Sequence, residues 1–130
     1  MTSPSRESID CIKRLIAFDT TSRNSNIELI DWAAARLESA GARLRYDFSA
    51  DRSKANLLAT FGDGPGGVVL SGHTDVVPVD GQAWTSDPFV ASVRDGRLYG
   101  RGACDMKGFI GVVLANGERF HRARLREPIH

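Results

Sequence analysis

The run Val68-Val69-Leu70 and the residues that follow it, Ser71-Gly72-His73-Thr74-Asp75, constrain the fold more than any other stretch of this chain. An unbroken series of β-branched and aliphatic residues predicts a strand buried on both faces, as in a parallel sheet covered by helices. Side chains of an extended segment alternate in direction, so His73 and Asp75 project to the same side if that geometry persists to the strand exit. A metal-bound imidazole needs its second ring nitrogen held by an acceptor, and His-x-Asp offers one. The same pattern also occurs as a plain hydrogen-bonded pair at a strand end, and on these residues alone both readings stand. Further along, Gly102-Ala103-Cys104-Asp105-Met106-Lys107-Gly108 places a second hard oxygen donor, Asp105, on a glycine-bounded loop. A carboxylate there can face two cations, one with each oxygen.

The other elements can be read around that strand. Ser3-Pro4 predicts a helix start, with serine as N-cap and proline at the first helical position. Ile9, Ile12, Leu15 and Ile16 follow at helical spacing, and a polar loop covers residues 20–24. Ser25 and Glu28 have the spacing of a capping box. Ile30, Ala33, Ala34 and Leu37 then form an apolar stripe that Gly41 ends in a left-handed stop. Trp32 lies off that stripe and is expected to pack at the helix flank. Residues 43–48 alternate, with Leu44, Tyr46 and Phe48 on one face, which predicts an edge or half-exposed strand. Residues 56–61 predict a second strand. The glycine-rich stretch 62–67 reads as a turn, since a strand and not a helix follows it, unlike a phosphate-binding loop.

After the central strand, residues 75–89 form a long excursion rich in Pro, Gly, Asp and Trp. Residues 90–93 and 97–99 predict a hairpin around Asp95-Gly96. Residues 107 to about 124 predict one helix with Ile110, Val113 and Leu114 facing inward. Gly108 and Gly111 are poor helix formers and point to close backbone approach there. Residues 127–130 look like the beginning of another strand. Strands and helices interleave, which predicts an α/β fold, a layered mixed sheet flanked by helices. All of residues 1–130 are assigned to one domain portion, with no internal repeat or linker.

Composition excludes some classes of function. A net charge of +1 over 130 residues offers no general field for nucleic acid or an anionic membrane. Arg119, Arg122, Arg124 and Arg126 are clustered, but without interleaved aromatic residues they read as the solvated carboxyl end of a helix. No segment is apolar over a membrane-spanning length, and no amino-terminal run resembles a signal peptide. Cys11 falls in the first helical pattern, and Cys104 is a single thiol beside Asp105, too few for a cysteine zinc site. A reduced, cytoplasmic location is the simplest expectation. His121 is expected to be exposed, and His130 receives no role.

Three segments in order resemble one family. They are Ser71-Gly72-His73-Thr74-Asp75-Val76-Val77-Pro78; Trp84-Thr85-Ser86-Asp87-Pro88-Phe89; and Leu98-Tyr99-Gly100-Arg101-Gly102, continuing into Asp105-Met106-Lys107-Gly108. The chain is similar to the acetylornithine deacetylase, succinyl-diaminopimelate desuccinylase and carboxypeptidase family of two-zinc amidohydrolases. Val79-Asp80-Gly81-Gln82-Ala83-Trp84 and Lys107-Gly108-Phe109 resemble its acetylornithine deacetylase branch.

The resemblance implies a zinc-peptidase-like catalytic domain holding two zinc ions, with cobalt as a substitute, and a separate lid and dimerisation domain. His73 would be a metal ligand, Asp105 the carboxylate bridging both metals, and Asp75 the catalytic-site acid that orients His73. A cis peptide between Asp105 and Met106 is implied as well. The implied partner is a small N-acyl amino acid, and the complete enzyme would be a homodimer in arginine biosynthesis. The family's general base and remaining ligands match nothing here, so the chain is expected to be an amino-terminal portion, inactive alone. Two alternatives stay open: a succinyl-diaminopimelate or dipeptide substrate, and a non-catalytic truncated product or interaction module.

Overall fold

Residues 4–130 are described by a computed structural model. Helix α1 spans Arg6–Ala17 and α2 spans Ile27–Ser39. Strands β1 (Arg43–Phe48) and β2 (Ala55–Thr60) form an antiparallel pair, with Arg43 opposite Thr60 and Phe48 opposite Ala55. A small hairpin follows, β3 (Ser92–Arg94) and β4 (Arg97–Tyr99). A kinked turn, Ala103–Lys107, leads into α3 (Gly108–Ala115), and α4 (Gly117–Arg122) lies beyond it. The α/β character is as expected, but in place of one layered mixed sheet the named strands form two separate antiparallel pairs, with the helices packed on β1–β2 and isolated bridges through Ile129 extending that pair to Val68.

Several local expectations need correction. The cap of α1 is Ser5, whose Oγ accepts from the Ser8 N–H at 3.1 Å, and Pro4 precedes the cap. Ser3, the expected cap, lies outside the described residues. The expected capping box at Ser25 and Glu28 does not form, because α2 begins one residue later, with Asn26 at its N-cap. The Asn26 side chain is drawn away to β2 instead: its Nδ2 donates to the Ala55 carbonyl and its Oδ1 accepts from the Ala55 N–H, each at 2.9 Å. Two hydrogen bonds to backbone outweigh one cap bond.

The expected single helix over residues 107–124 is broken at Asn116 (φ −101°, ψ 6°). The break turns α4 so that Phe120 meets Phe61 edge-on, ring centroids 5.7 Å apart. The adjoining Gly117 fits against Ala40.

The core lies between the helices and the β1–β2 pair. Leu15, Leu29, Ile30, Ala33, Leu37 and Leu114 are buried together, with Cys11 among them. Helix α1 meets α3 at Gly111, where an added Cβ would stand 2.5 Å from Ile12 Cγ1 and 2.9 Å from the Ile12 nitrogen. Here the glycine permits the close approach that the sequence pointed to. Trp32 packs at the flank of α2 against Phe18, centroids 6.2 Å apart. Gly41 ends α2 with φ +93°, and the hairpin turn Asp95-Gly96 has both residues at positive φ, 51° and 71°, as a two-residue hairpin turn requires.

The central strand is the largest correction. Residues 68–72 form no strand beyond an isolated bridge at Val68, and Val68 is 57% and Val69 is 64% exposed. Their ladder is short. Ile129 pairs in parallel with Val68 and antiparallel with Phe61, so residues 128–130 lie between the end of β2 and residue 68. Beyond that bridge the two edges diverge around a groove of about 630 Å³, lined by Leu29, Leu57, Phe61, Val69, Ile110 and Val113 among others. An apolar run reads as buried on both faces only where neighbours cover it, and here one short partner does so.

Candidate metal centre

Residue 72 is the last before the site, and its lack of a side chain matters. A Cβ on Gly72 would come within 3.0 Å of Ile110 Cγ1 and 3.1 Å of Met106 Cε. This close seating brings the strand exit against the start of α3. The chain then runs alongside the loop that leaves α1. Val76 N–H donates to the Thr20 carbonyl (3.1 Å), Ser22 N–H donates to the Val76 carbonyl (3.2 Å), and Thr20 Oγ1 donates to the Thr74 carbonyl (2.6 Å). Thr20, Thr21 and Val76 are buried, so residues 74–76 have a rigid backing.

On that backing the structure brings together the three residues singled out from the sequence. His73 Nε2 lies 2.9 Å from Asp105 Oδ1. His73 Nδ1 lies 3.1 Å from the Asp75 carbonyl oxygen and 3.2 Å from Asp75 Oδ1. The peptide between Asp105 and Met106 is cis. All three side chains face solvent: 48% exposed for His73, 54% for Asp75 and 82% for Asp105. His121 and His130 stay apart from this group. His121 is exposed and lies over Gly41, and His130 spans Thr60 Oγ1 and the Gly66 carbonyl, each at 3.0 Å.

The environment of His73 is unbalanced in a way that has chemical content. Both ring nitrogens face acceptors. A neutral imidazole has one N–H and one lone pair. If Nδ1–H donates to Asp75, the Nε2 lone pair points at a carboxylate oxygen. The arrangement is favourable only with a positive charge on that side, either a second ring proton or a shared cation. The same imbalance raises the affinity of His73 for a proton. The hydrogen bond to Asp105 is its main cause, burial opposes it, and Asp75 adds to it. Asp75 is held below the usual carboxylate range, chiefly by the Ser22 hydroxyl, which donates to its Oδ2 at 2.7 Å; slight burial opposes this and the His73 charge supports it. An imidazole nitrogen and a carboxylate oxygen are donors suited to zinc. Among the described residues no third His, Cys, Asp or Glu joins them in a cluster.

Two contributors were not singled out from the sequence. Ser22 is one residue of an ordinary polar loop, and only the fold places it under Asp75. Lys54 is the other: its Nζ donates to the Ser22 carbonyl at 2.7 Å and to that of Asn24, bracing the same loop from the residue just before β2. No local pattern marks either one, because each acts across more than thirty residues of chain.

A sequence profile described as Peptidase family M20/M25/M40 matches residues 69–130, the half that carries all three residues. The chain belongs to that family. Agreement extends beyond the matched half. An acetylornithine deacetylase of Pasteurella multocida (strain Pm70) is 43% identical over 106 residues, covering 81% of this chain and 28% of that protein. An acetylornithine deacetylase of Proteus mirabilis (strain HI4320) is 40% identical over 115 residues, covering 88% of this chain and 30% of that protein. Among solved structures, human carnosine dipeptidase 1 superposes with a TM-score of 0.75 at 30% identity, over 95% of this chain and 30% of that one. This family member thus spans under a third of the length of the proteins it matches.

Proposed function

We infer that this chain supplies part of the metal centre of an amidohydrolase, and that the substrate is an N-acyl amino acid, N2-acetyl-L-ornithine first among them. The observation that carries the reading is the imidazole of His73, with Nδ1 engaged by Asp75 and Nε2 facing the Asp105 carboxylate. With Nδ1–H committed to Asp75, the Nε2 lone pair is left for a cation that Asp105 shares. His73 and Asp105 would hold zinc, or cobalt in its place, and Asp105 has a second oxygen free for another ion. When bound, the metal pair acidifies water near neutral pH and polarises the acyl carbonyl.

This chain's own residues have narrower tasks. Asp75 fixes the tautomer and the direction of the ring, a role in which a carboxylate also raises ligand basicity. Ser22 holds Asp75 in its ionised form. Acetate and ornithine would be the products, which places the protein in arginine biosynthesis. The substrate choice is supported by the 39–43% identity to acetylornithine deacetylases across most of the chain, against 30% to the dipeptidase. A homodimeric, cytoplasmic enzyme is part of the same reading. Two unpaired cysteines are in keeping with a reducing compartment.

The test is an assay of the full-length product of the gene with acetylornithine, succinyl-diaminopimelate and a carnosine-type dipeptide, with zinc or cobalt supplied. Release of acetate from acetylornithine at the highest kcat/KM is expected. His73→Ala and Asp105→Ala should each lower kcat/KM by about two orders of magnitude or more, in line with loss of groups that hold the hydrolytic metal. Metal-independent turnover, or variants as active as the parent, would remove this reading. Preference for the dipeptide would move the substrate to the dipeptidase side of the family.

A further inference from the structure

A fully buried ammonium lies between α1 and the turn that carries Asp105. Lys107 has 0% of its surface exposed. Its Nζ donates to the Phe18 carbonyl at 2.7 Å, and Phe18 is the residue that caps the carboxyl end of α1. An ammonium has three N–H groups, and Phe18 is the acceptor that the described residues give it. Asp19 attracts the charge, but burial dominates. A methionine would fill similar space without that penalty. What a charged donor adds over an apolar chain end is direction, since it holds one carbonyl at one distance.

Asp105 is in need of such a hold. Its side chain is 82% exposed, so packing does not fix it, and its backbone (φ −127°, ψ 95°) departs from the helical turn around it. The turn is closed by Lys107 N–H donating to the Gly102 carbonyl at 2.8 Å. It is wedged on the other side as well: a Cβ on Gly102 would lie 2.8 Å from Val76 Cγ1 and 3.1 Å from Lys107 Cδ. The exit of α1 therefore carries both halves of the site. Ser22 holds Asp75, and the Phe18 carbonyl holds Lys107.

We propose that Lys107 is a positioning residue, which by binding the Phe18 carbonyl sets where Asp105 presents its carboxylate to His73. The functional weight of that role rests on the reading of His73 and Asp105 as the cation-holding pair.

Imidazole 1H–15N correlation spectra of His73 test it in the 130-residue chain without metal, followed by titration with cobalt. The variants are Lys107→Met and, as the reference for a lost His73–Asp105 contact, Asp105→Asn. In folded Lys107→Met the His73 Nε2 resonance should move toward its position in Asp105→Asn, and cobalt should bind about tenfold more weakly than to the parent, the scale of lost outer-shell support. A parent-like His73 resonance in a variant with parent-like circular dichroism overturns the proposal. If the parent binds no cobalt while the resonance still moves, the cation reading fails and the positioning role stands. Should Lys107→Met not fold, the parent decides. A slowly exchanging Lys107 Nζ–H signal coupled to the Phe18 carbonyl supports the role, and exchange as fast as that of surface lysines overturns it.

Discussion

The proton affinity of His73 is set by its neighbours, and its sign is testable. Asp105 first, with Asp75 adding, raises the imidazole above its ordinary 6.5. A base whose folded value is raised stabilises the fold fully below the unfolded value, and that contribution is lost as pH rises through the folded one. The midpoint of His73, followed by NMR, should therefore lie above 6.5 and fall in Asp105→Asn. A parent midpoint at or below 6.5 would show that the contact does not persist in solution. The gain in unfolding free energy below pH 6.5 should stay under about 1 kcal/mol, because the pair is solvent-exposed.

Lys107 has the opposite sign. Burial, opposed by Asp19, lowers its ammonium to about 8 from 10.5. Between those values the unfolded chain binds more protons than the folded one, so stability should rise with pH across that window. The rise should reach about 3 kcal/mol at most. Urea unfolding at pH 7.5 and pH 10 measures it, and Lys107→Met should abolish that part of the difference.

Among elements, packing at single backbone positions carries more weight than propensity. Gly111 would seem a defect in α3 by propensity alone. Alanine there would place a methyl group 2.5 Å from Ile12 Cγ1 and 2.9 Å from its nitrogen. Backbone cannot yield as a side-chain tip can, so Gly111→Ala should cost about 1–3 kcal/mol despite the better helix former, read as a lower denaturant midpoint. Asn26 is the second such position. Its amide gives β2 both hydrogen bonds of Ala55, and Ala55 is buried. Asn26→Ala would leave a buried N–H and C=O unpaired, a loss of about 1–3 kcal/mol. A cap residue of the ordinary kind would lose about 1 kcal/mol, so a loss well above that marks the strand-stitching role.

In the molecule as a whole, the groove and the strand exit leave apolar surface in water. Val68, Val69, Leu58, Phe109 and Val112 are all more than a third exposed. Among the described residues β1 is the one named strand that pairs with β2, so most of the other edge of β2 has no strand partner. Surfaces of this kind favour association. The isolated chain should show concentration-dependent sedimentation and bind an apolar fluorescent dye, and Val69→Lys should reduce both. A monomer with a sharp thermal transition and no dye binding would count against this. Among the described residues no helix is long and apolar enough to cross a bilayer.

Periodicity and turn chemistry are local, and local features were legible in the residues alone. The stripe Ile30, Ala33, Ala34, Leu37, the stop at Gly41, the alternation of β1 and the Asp95-Gly96 turn each depend on neighbours within a few positions. So does the same-face spacing of His73 and Asp75. The family-bearing motifs are short strings too, so His73, Asp75 and Asp105 stand out in the sequence alone as candidate site residues. What only the tertiary structure decided involves competition between distant partners. Asn26 abandons a cap for β2, and Asn116 breaks a helix so that Phe120 can reach Phe61. Ser22 becomes the support of Asp75, and Lys107 disappears beneath the turn it belongs to. Val68 and Val69 show the converse. Their apolar character announces burial, but burial depends on which segments cover them, and that is a property of the assembled chain.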